Sequence, residues 1–329
     1  MKRKIFLVIV FAFLGGLAVL AGGRKDISLK VLYWNIQNGM WDGQSDNYDR
    51  FVNWVASRKP DICVWAEAQS IFKTGTGEKM AKEDRYLTDG WTELAARYGH
   101  RYVYVGGHRD NYPQVITARY PISNVLRLTD EVRDSTVAHG AGWAMVNVGG
   151  NELNIVTVHT WPQRFSFEYN KKSKELQERS SSKNEGDLYR LKEMKYICGK
   201  TVLADKDAAE NLWLMLGDFN SISSIDNEVY GFPSDSSCFI LHDYIRQQTP
   251  YIDSVREHSL PDFAWTTYRH SRYDYMYMTP ALDALVETAG VIYDDYTLPV
   301  EDPEVRGFCH PSDHLPVEAV FRMPRGRKR

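Results

Sequence analysis

The sequence has few cysteines, little net charge and no internal repeat, and each of these absences excludes something. Its 4 cysteines among 329 residues are widely spaced, and no pair has the C-x-x-C spacing of a metal site. The formal net charge is only −3, which argues against a surface built for tight nonspecific binding of nucleic acid. A brief encounter between an enzyme and a nucleic acid stays open, because bound cations change the local field.

Apolar and aromatic residues, by contrast, are abundant. Hydrophobic residues make up 43% of the chain, which has 20 tyrosines and 9 tryptophans. This composition supports a large single core or two small ones, and it favours β-rich packing. Strand and helix patterns alternate in the first half of the chain and again around its middle. We therefore predict a layered α/β protein with helices outside two packed sheets.

The N-terminus has the pattern of a targeting segment. Residues 2–4 are basic, residues 5–21 are apolar without a charge, and two glycines then precede Arg24. We interpret residues 1–23 as an export signal, with an uncleaved membrane anchor as the alternative because the apolar run is nearly long enough to span a bilayer. The protein is then expected in the bacterial periplasm, at the cell surface or secreted. Residues 324–329 form a short basic tail.

The stretch NLWLMLGDFN, residues 211–220, joins an apolar run to a polar ending. A short continuous apolar run is typical of a strand that is buried on both faces. Because side chains alternate along a strand, Asp218 and Asn220 are expected to point to the same side at its end. A turn would explain these two residues taken alone, since Gly, Asp and Asn are common in turns. A buried carboxylate, however, needs a partner or a metal ion.

Polar side chains recur at the ends of several other predicted strands. In chain order these residues are Asn35, Glu67, His159, Asp274, Asp313 and His314. Each alone has an ordinary explanation as a strand cap or a turn residue. Together they supply hard oxygen ligands for Mg²⁺ or Mn²⁺, two histidines that titrate near neutral pH, and amide donors. This set predicts metal-assisted attack of water on a phosphate ester.

The order of these motifs resembles that of the endonuclease/exonuclease/phosphatase superfamily, the DNase I-like phosphoesterases. The motifs are, in order, WNIQNG, DICVWAE, the strand ending in His159, GDFN, RYDY and SDHLPV. The resemblance covers residues 27–323. It implies an α/β fold, a four-layer α/β-sandwich of two packed mixed β-sheets flanked by helices. It also implies that the site lies at one rim of the two sheets.

The resemblance implies a metal site as well. Glu67 is similar to the principal metal ligand, assisted by Asn35 and Asp313, and the expected ion is Mg²⁺ or Mn²⁺. One departure concerns this site, because family members usually have Gln before the metal-binding Glu, and Ala66 stands there. The missing amide implies a metal site that lacks one supporting hydrogen bond.

The resemblance implies catalytic roles for the remaining matched residues. Asp218 resembles the group that orients or deprotonates the attacking water, and Asn220 resembles the donor that holds the phosphate. His159 is similar to the histidine that contacts a phosphoryl oxygen. His314 is similar to the catalytic histidine, and Asp274 to the acid that orients it.

Two of these roles have alternatives. An ion pair with Arg272, two residues away on the same strand face, is the simpler explanation for Asp274. Some nucleases of the family carry an acid that orients the histidine corresponding to His159, but Gln114 stands in that region here. The resemblance therefore implies no orienting acid for His159.

The motifs predict an enzyme that hydrolyses a phosphodiester or a phosphomonoester. They leave the substrate open between nucleic acid, a phospholipid head group and a small phosphate ester, since loops decide substrate choice. An extracellular DNase-type endonuclease is the alternative. A catalytically silent binding protein is the second alternative, although it would be expected to lose Glu67, Asp218 or His314. We expect a monomer without a stable protein partner. The mostly polar residues 165–187 are interpreted as a solvated segment or a substrate-facing insertion.

Overall fold

The structure is a computed structural model that describes most of the chain. The described ranges are residues 25–37, 48–68, 90–107, 112–129, 137–164, 167–170, 175–178, 185–258, 263–303 and 307–326. The predicted export signal, residues 1–23, lies outside them. Within these ranges no helix combines the length and the apolar character needed to cross a membrane.

The described strands are short to medium in length. In chain order they are β1 (Ile27–Asn35), β2 (Ile62–Ala66), β3 (Tyr102–Gly106), β4 (Gln114–Ala118), β5 (Ile122–Leu128), β6 (Ala141–Val148), β7 (Asn151–His159), β8 (Phe167–Asn170), β9 (Glu175–Glu178), β10 (Leu212–Asp218), β11 (Ile252–Asp253), β12 (Asp274–Met278), β13 (Val286–Val291), β14 (Val300–Glu301), β15 (Cys309–His310) and β16 (Val317–Met323).

The described α-helices connect these strands. They are α1 (Asp49–Arg58), α2 (Gly90–Arg97), α3 (Glu185–Lys200), α4 (Asn227–Tyr230), α5 (Ile240–Gln248), α6 (Ser254–His258) and α7 (Pro280–Asp283). Single 3₁₀ turns occur at Val202–Ala204, Ser224–Asp226 and Ser237–Phe239.

Two six-stranded sheets form the centre of the molecule. The first has the strand order β13-β16-β1-β2-β4-β3, and the second has the order β11-β12-β10-β7-β6-β5. Each sheet is mixed, because β1 runs parallel to β2 and β10 runs parallel to β7, whereas β1–β16 and β10–β12 are antiparallel. Parallel neighbours end at the same edge of a sheet, and this edge holds the polar strand ends.

Period-two alternation explains the layers. In β1, Leu29, Val31 and Tyr33 belong to the core between the sheets, while Leu32 and Trp34 pack on the outer face under helices. A strand buried on both faces reads as a nearly continuous apolar run, as the sequence of β1 does. Helices α1 and α2 cover the first sheet, and α3 and α5 cover the second. The predicted four-layer α/β-sandwich is therefore confirmed.

The polar stretch at residues 165–187 contains regular backbone. Strands β8 and β9 pair as an antiparallel two-stranded sheet within it, and α3 begins at Glu185. The described part of the stretch therefore includes a pair of antiparallel strands, and a substrate-facing role for the stretch stays a prediction.

Candidate active site

The polar strand ends of both sheets meet at one rim. In the first sheet Asn35 aligns with Ala66, so that Glu67 follows immediately beside the end of β1. In the second sheet Asp218 aligns with His159 on one side and with Asp274 on the other. The parallel pairs explain this gathering, because both members of each pair finish at the same edge.

The glycine before Asp218 has a steric reason. A Cβ atom on Gly217 would lie 1.9 Å from the carbonyl oxygen of Val158 on the neighbouring strand β7. Real Cβ atoms do not approach backbone this closely, so only glycine permits the last residues of β10 to lie against β7. The close approach brings Asp218 beside His159, its partner in the strand register.

An amide joins the two sheets between two acids. The Nδ2 atom of Asn35 donates to Asp218 Oδ2 at 3.1 Å and to Glu67 Oε1 at 3.3 Å. Its Oδ1 atom accepts the backbone N–H of Gln37 at 3.1 Å. That N–H requires an oxygen, so the amide nitrogen is the atom that faces the acids. This orientation makes Asn35 a donor to the two acids, and its predicted role as a metal ligand stays a prediction.

The predicted pairing of His314 with Asp274 is present. His314 Nδ1 lies 2.7 Å from Asp274 Oδ2, and both residues are buried. The opposite ring nitrogen, Nε2, lies 3.7 Å from Asp218 Oδ2. The carboxylate thus fixes which ring nitrogen faces the site.

The simpler partner for Asp274 is ruled out by the geometry. Arg272 turns away and binds Asp226 Oδ2 at 2.6 Å and Asp253 Oδ2 at 2.7 Å through its Nη2 atom. The alternative of an Arg272–Asp274 ion pair is therefore wrong. Arg272 lies just before β12 (Asp274–Met278), and Asp226 and Asp253 compensate its charge.

Sequence reasoning missed the groups that complete the His314–Asp274 pair. The Tyr33 hydroxyl donates to Asp274 Oδ1 at 2.9 Å, and Trp34 Nε1 donates to the carbonyl oxygen of His314 at 2.8 Å. The Thr266 Oγ1 atom accepts the backbone N–H of Asp274 at 3.1 Å. Strand alternation was the available signal for Tyr33, because it lies two residues before Asn35 and shares its face.

His159 also reaches the site. Its Nε2 atom lies 3.8 Å from both Glu67 Oε1 and Asp218 Oδ2, and its side chain is only 3% exposed. Asn220 has a positive φ of 44°, which turns the chain after β10. Its backbone N–H donates to Asp218 Oδ1 at 2.8 Å, and its Nδ2 atom donates to the carbonyl oxygen of Thr160 at 3.0 Å.

Asp313 is held near the site by its backbone. Its carbonyl oxygen accepts the backbone N–H of Tyr268 at 2.8 Å, and the neighbouring His314 pairs with Thr267 in an isolated bridge. In the described part of the chain, the group of His, Cys, Asp and Glu ligand atoms within 4.8 Å of one another is Asp218, Asp274 and His314. Asp313 is outside that group, and its role as a metal ligand stays a prediction.

The buried charges shift the pKa values of the site in different directions. Burial, with smaller contributions from Asp274 and Glu67, raises the pKa of Asp218 to about 8, against the opposing effect of His314. Burial by itself would lower the pKa of His314, but Asp274, Asp313 and Asp218 raise it well above its ordinary value. His314 is therefore an imidazolium at neutral pH.

The second histidine has the opposite protonation state. Burial, together with the positive charge of His314, lowers the pKa of His159 to about 3. His159 is consequently neutral at physiological pH. The site therefore holds one charged and one neutral imidazole, both near Asp218 Oδ2.

The donor set fits a divalent cation. Glu67 and Asp218 present hard carboxylate oxygens on the two sides of the Asn35 amide, and Mg²⁺ and Mn²⁺ prefer such ligands. The pKa of Asp218 is raised because its negative charge is buried near other acids. A bound cation would favour the ionised carboxylate at this position.

Comparison with known proteins identifies the fold. No protein-family model matches the chain, and no curated protein matches its sequence. An AP endonuclease from Archaeoglobus fulgidus is 18% identical, with a TM-score of 0.56 over 89% of this chain and 99% of that chain. An endonuclease/exonuclease/phosphatase from Beutenbergia cavernae is 18% identical, with a TM-score of 0.59 over 91% of this chain and 72% of that chain. The 3′ phosphatase NExo from Neisseria is 17% identical, with a TM-score of 0.50 over 89% and 99%.

These similarities define the class of fold to which the chain belongs. Two mixed six-stranded sheets with helices outside are shared with DNase I-like endonuclease/exonuclease/phosphatase structures. The predicted DNase I-like fold is thus confirmed by structures whose sequences differ widely from this one.

Proposed function

We propose that the protein is a divalent-metal-dependent phosphoesterase that hydrolyses a phosphodiester or a phosphomonoester. One observation carries this proposal: Asp218 Oδ2 lies within 3.8 Å of the Nε2 atoms of both His159 and His314. A buried acid between one neutral and one protonated imidazole is suited to handle the proton of an attacking water beside a charged phosphate.

The names of the structural neighbours support the same reaction class. They include an AP endonuclease, a 3′ phosphatase bound to a product DNA hairpin, and the TDP2 protein of D. rerio with a single-stranded DNA product. These proteins act on or bind DNA, so DNA substrates belong among the first to be assayed. Nucleic acid is one of the substrate classes that the proposal includes, beside phospholipid head groups and small phosphate esters.

In the proposed mechanism each side chain has a distinct task. Glu67, with Asp313 and the Oδ1 atom of Asn35, would hold Mg²⁺ or Mn²⁺, and the ion would supply polarisation of the phosphoryl oxygens and stabilisation of the leaving oxygen. Asp218 orients the attacking water and accepts its proton. His314 stays protonated because Asp274 binds its Nδ1 atom, and its Nε2 atom donates a hydrogen bond to the phosphoryl group.

His159 and Asn220 position the phosphate in this mechanism. The neutral imidazole of His159 has one N–H donor, and Nε2 is the ring nitrogen on the side of the two acids. The amide of Asn220 uses one hydrogen on the Thr160 carbonyl, and its second hydrogen is the proposed phosphate donor.

A catalytically silent binding protein is less well supported. Such a protein has no need for a buried acid–histidine pair, because an unpaired buried charge is costly and the pair requires several supporting groups. Here Tyr33, Trp34 and Thr266 support the His314–Asp274 pair at 2.8 to 3.1 Å.

The decisive experiment is a panel of phosphodiesters and phosphomonoesters, including DNA, assayed with Mg²⁺, Mn²⁺ and Ca²⁺. We expect hydrolysis with Mg²⁺ or Mn²⁺, its complete loss in EDTA, and its return when the metal is restored. Undiminished hydrolysis by protein shown to be metal-free would contradict the metal-dependent mechanism.

Export remains part of the proposal and is supported by the N-terminal sequence alone. Cleavage after Gly23 would leave Arg24 as the first residue. N-terminal sequencing of protein from the native host is expected to begin near Arg24. A chain that begins at Met1 or Lys2 in a membrane fraction would favour the anchor instead.

A further inference from the structure

His159 lies in a stack of aromatic rings that the proposed mechanism does not use. The His139 ring is stacked on the His159 ring, with centroids 4.5 Å apart and planes inclined by 25°. The Trp161 ring packs against the His139 ring, with centroids 5.9 Å apart. The Tyr112 ring meets both histidines edge-on, at 4.9 and 6.0 Å. His159 is thus covered on one face and along one edge.

A buried carboxylate fixes the spacing of this stack. Glu193 on α3 is fully buried, and its Oε1 atom accepts the backbone N–H of Ala138 at 2.8 Å. Its Oε2 atom accepts the backbone N–H of Trp161 at 2.8 Å. One carboxylate therefore ties the segment before His139 to the segment after His159. Because both oxygens accept from the backbone, the carboxyl group holds the two segments at a fixed separation.

The buried amide of Gln114 holds the other side of the stack. Its Nε2 atom donates to the carbonyl oxygen of Tyr112 at 3.1 Å and lies 3.5 Å from that of His139. Gly107 leaves room for this arrangement, because a Cβ atom there would lie 2.7 Å from both Gln114 Oε1 and the His139 carbonyl oxygen. Gln114 does not bind the His159 ring in this structure; it binds the backbone of the two residues whose rings contact it.

We propose that His139 is a positioning residue whose stacked ring fixes the plane of the His159 imidazole, with Glu193 and Gln114 as the supports of that stack. A ring confined on one face and one edge cannot rotate about its side-chain bonds without colliding with its neighbours. His159 Nε2 consequently stays near Glu67 Oε1 and Asp218 Oδ2, where the reaction needs it. This inference rests on the proposed phosphoesterase function and adds to it the means by which His159 is oriented.

Two substitutions separate the ring of His139 from its polar nitrogens. His139→Phe keeps a flat ring and removes the nitrogens, whereas His139→Gln keeps a polar group and removes the ring. We expect His139→Gln to lower kcat by about 10- to 100-fold with KM nearly unchanged, as loss of a supporting group does. His139→Phe should retain most of the activity. The matched control is His100→Gln, a buried histidine outside the site, which should leave kcat per folded molecule at the wild-type level.

A magnetic resonance readout tests the stack without relying on turnover. In metal-free protein, the His159 ring protons should show the upfield shift caused by a ring stacked above them. The shift should persist in His139→Phe and disappear, with broadened signals, in His139→Gln. Glu193→Gln replaces one acceptor oxygen by an NH₂ group and should give the same broadening if His139→Gln fails to fold.

Each result decides the inference. Wild-type kcat in His139→Gln, equal losses in His139→Phe and His139→Gln, or unchanged His159 signals in the folded His139→Gln or Glu193→Gln protein would overturn it. If the wild-type protein hydrolyses no phosphoester, the proposed function fails, and the resonance data still decide whether His139 holds the His159 ring.

Discussion

Two clusters of buried acids lie on either side of Tyr273. On one side, Arg272 binds Asp226 and Asp253, and Arg256 Nε lies 3.6 Å from Asp226 Oδ1. On the other side, Asp274 binds His314, with Asp218 and Glu67 close by. Both clusters are deeply buried, and both contain several carboxylates, yet they differ in the kind of positive charge that they hold.

The difference separates a cluster whose charges are compensated from the cluster at the candidate active site. Guanidinium groups are always charged, so the two acids beside Arg272 are compensated at every accessible pH. The cation beside Asp274 is instead a single imidazolium, that of His314, and the acids around it outnumber it. A cluster that retains negative charge and a titratable partner can bind a cation and transfer protons. Burial of acidic side chains is therefore not in itself a sign of function. A buried cluster in which the negative charges outnumber the positive ones is a better sign.

The largest expected effect lies in the His314–Asp274 pair. His314→Ala and Asp274→Asn should each lower kcat by about 10²- to 10⁴-fold, because the protonated imidazole is lost or no longer oriented. The double variant should be little worse than the worse single one, since the two residues act as a unit. Steady-state kinetics on folded protein measure this, and fully multiplicative losses would show that the residues act separately.

The Arg272 cluster should respond in stability and not in catalysis. Arg272→Met leaves Asp226 and Asp253 buried without their cation, which should lower the free energy of unfolding by about 3–5 kcal/mol. Activity per folded molecule should stay near the wild-type level. Urea unfolding monitored by tryptophan fluorescence measures the change.

The matched control for this variant removes the charges as well. The triple variant Arg272→Met, Asp226→Asn, Asp253→Asn should recover much of the lost stability, because no unpaired ion is left in the interior. A loss of kcat in Arg272→Met at unchanged stability would place Arg272 in the active site and end the distinction between the clusters.

A smaller effect is expected at the exposed side of the cluster at the candidate active site. Glu67 is only partly buried, with 17% of its side chain exposed, so Glu67→Gln should fold normally. It removes a charged oxygen ligand, and the affinity for Mg²⁺ or Mn²⁺ should fall by at least about tenfold. Calorimetric titration of the metal into wild type and variant compares them directly. Equal affinities would remove Glu67 from the predicted ligand set.

The smallest effect concerns a histidine near the Arg272 cluster. Burial lowers the pKa of His242 well below 6.5, and Arg272 adds to the effect. The folded state therefore resists protonation, and the contribution to stability is complete above pH 6.5 and is lost as the pH falls below it. One such group changes the free energy of unfolding by about 1.4 kcal/mol per pH unit at most.

The variant His242→Gln tests whether His242 causes this loss of stability at low pH. The variant should unfold with a shallower dependence on pH between about 6.5 and 5 than the wild type, because one group no longer gains a proton on unfolding. Thermal unfolding at several pH values compares the slopes. Equal slopes would show that His242 does not carry the acid sensitivity of this region.

Much of the site was predictable because its residues end strands. The apolar run of residues 212–216 identified β10, and the polar ending of that run placed Asp218 at the end of the strand. The predicted pair of His314 and Asp274 was confirmed at 2.7 Å. The alternative partner Arg272 was far nearer in sequence, two residues from Asp274 against 40 for His314, and nearness along the chain favoured the wrong partner. Arg272 instead binds Asp226 and Asp253, which lie 46 and 19 residues from it along the chain, and Asp274 is left to His314.

By itself the sequence determined the buried strands of the two sheets, because burial on one or two faces imposes a local period on apolar residues. It did not indicate β8 and β9, which lie in a polar stretch without such a period. It also determined the chemical types of the groups at the strand ends. Only the tertiary structure decided which of these groups meet. Tyr33 reaches Asp274 across 241 residues of chain, and the Glu193 carboxylate joins Ala138 to Trp161. Such contacts depend on how two sheets and a helix pack in three dimensions. The spacing of apolar residues along one strand or helix does not specify that packing.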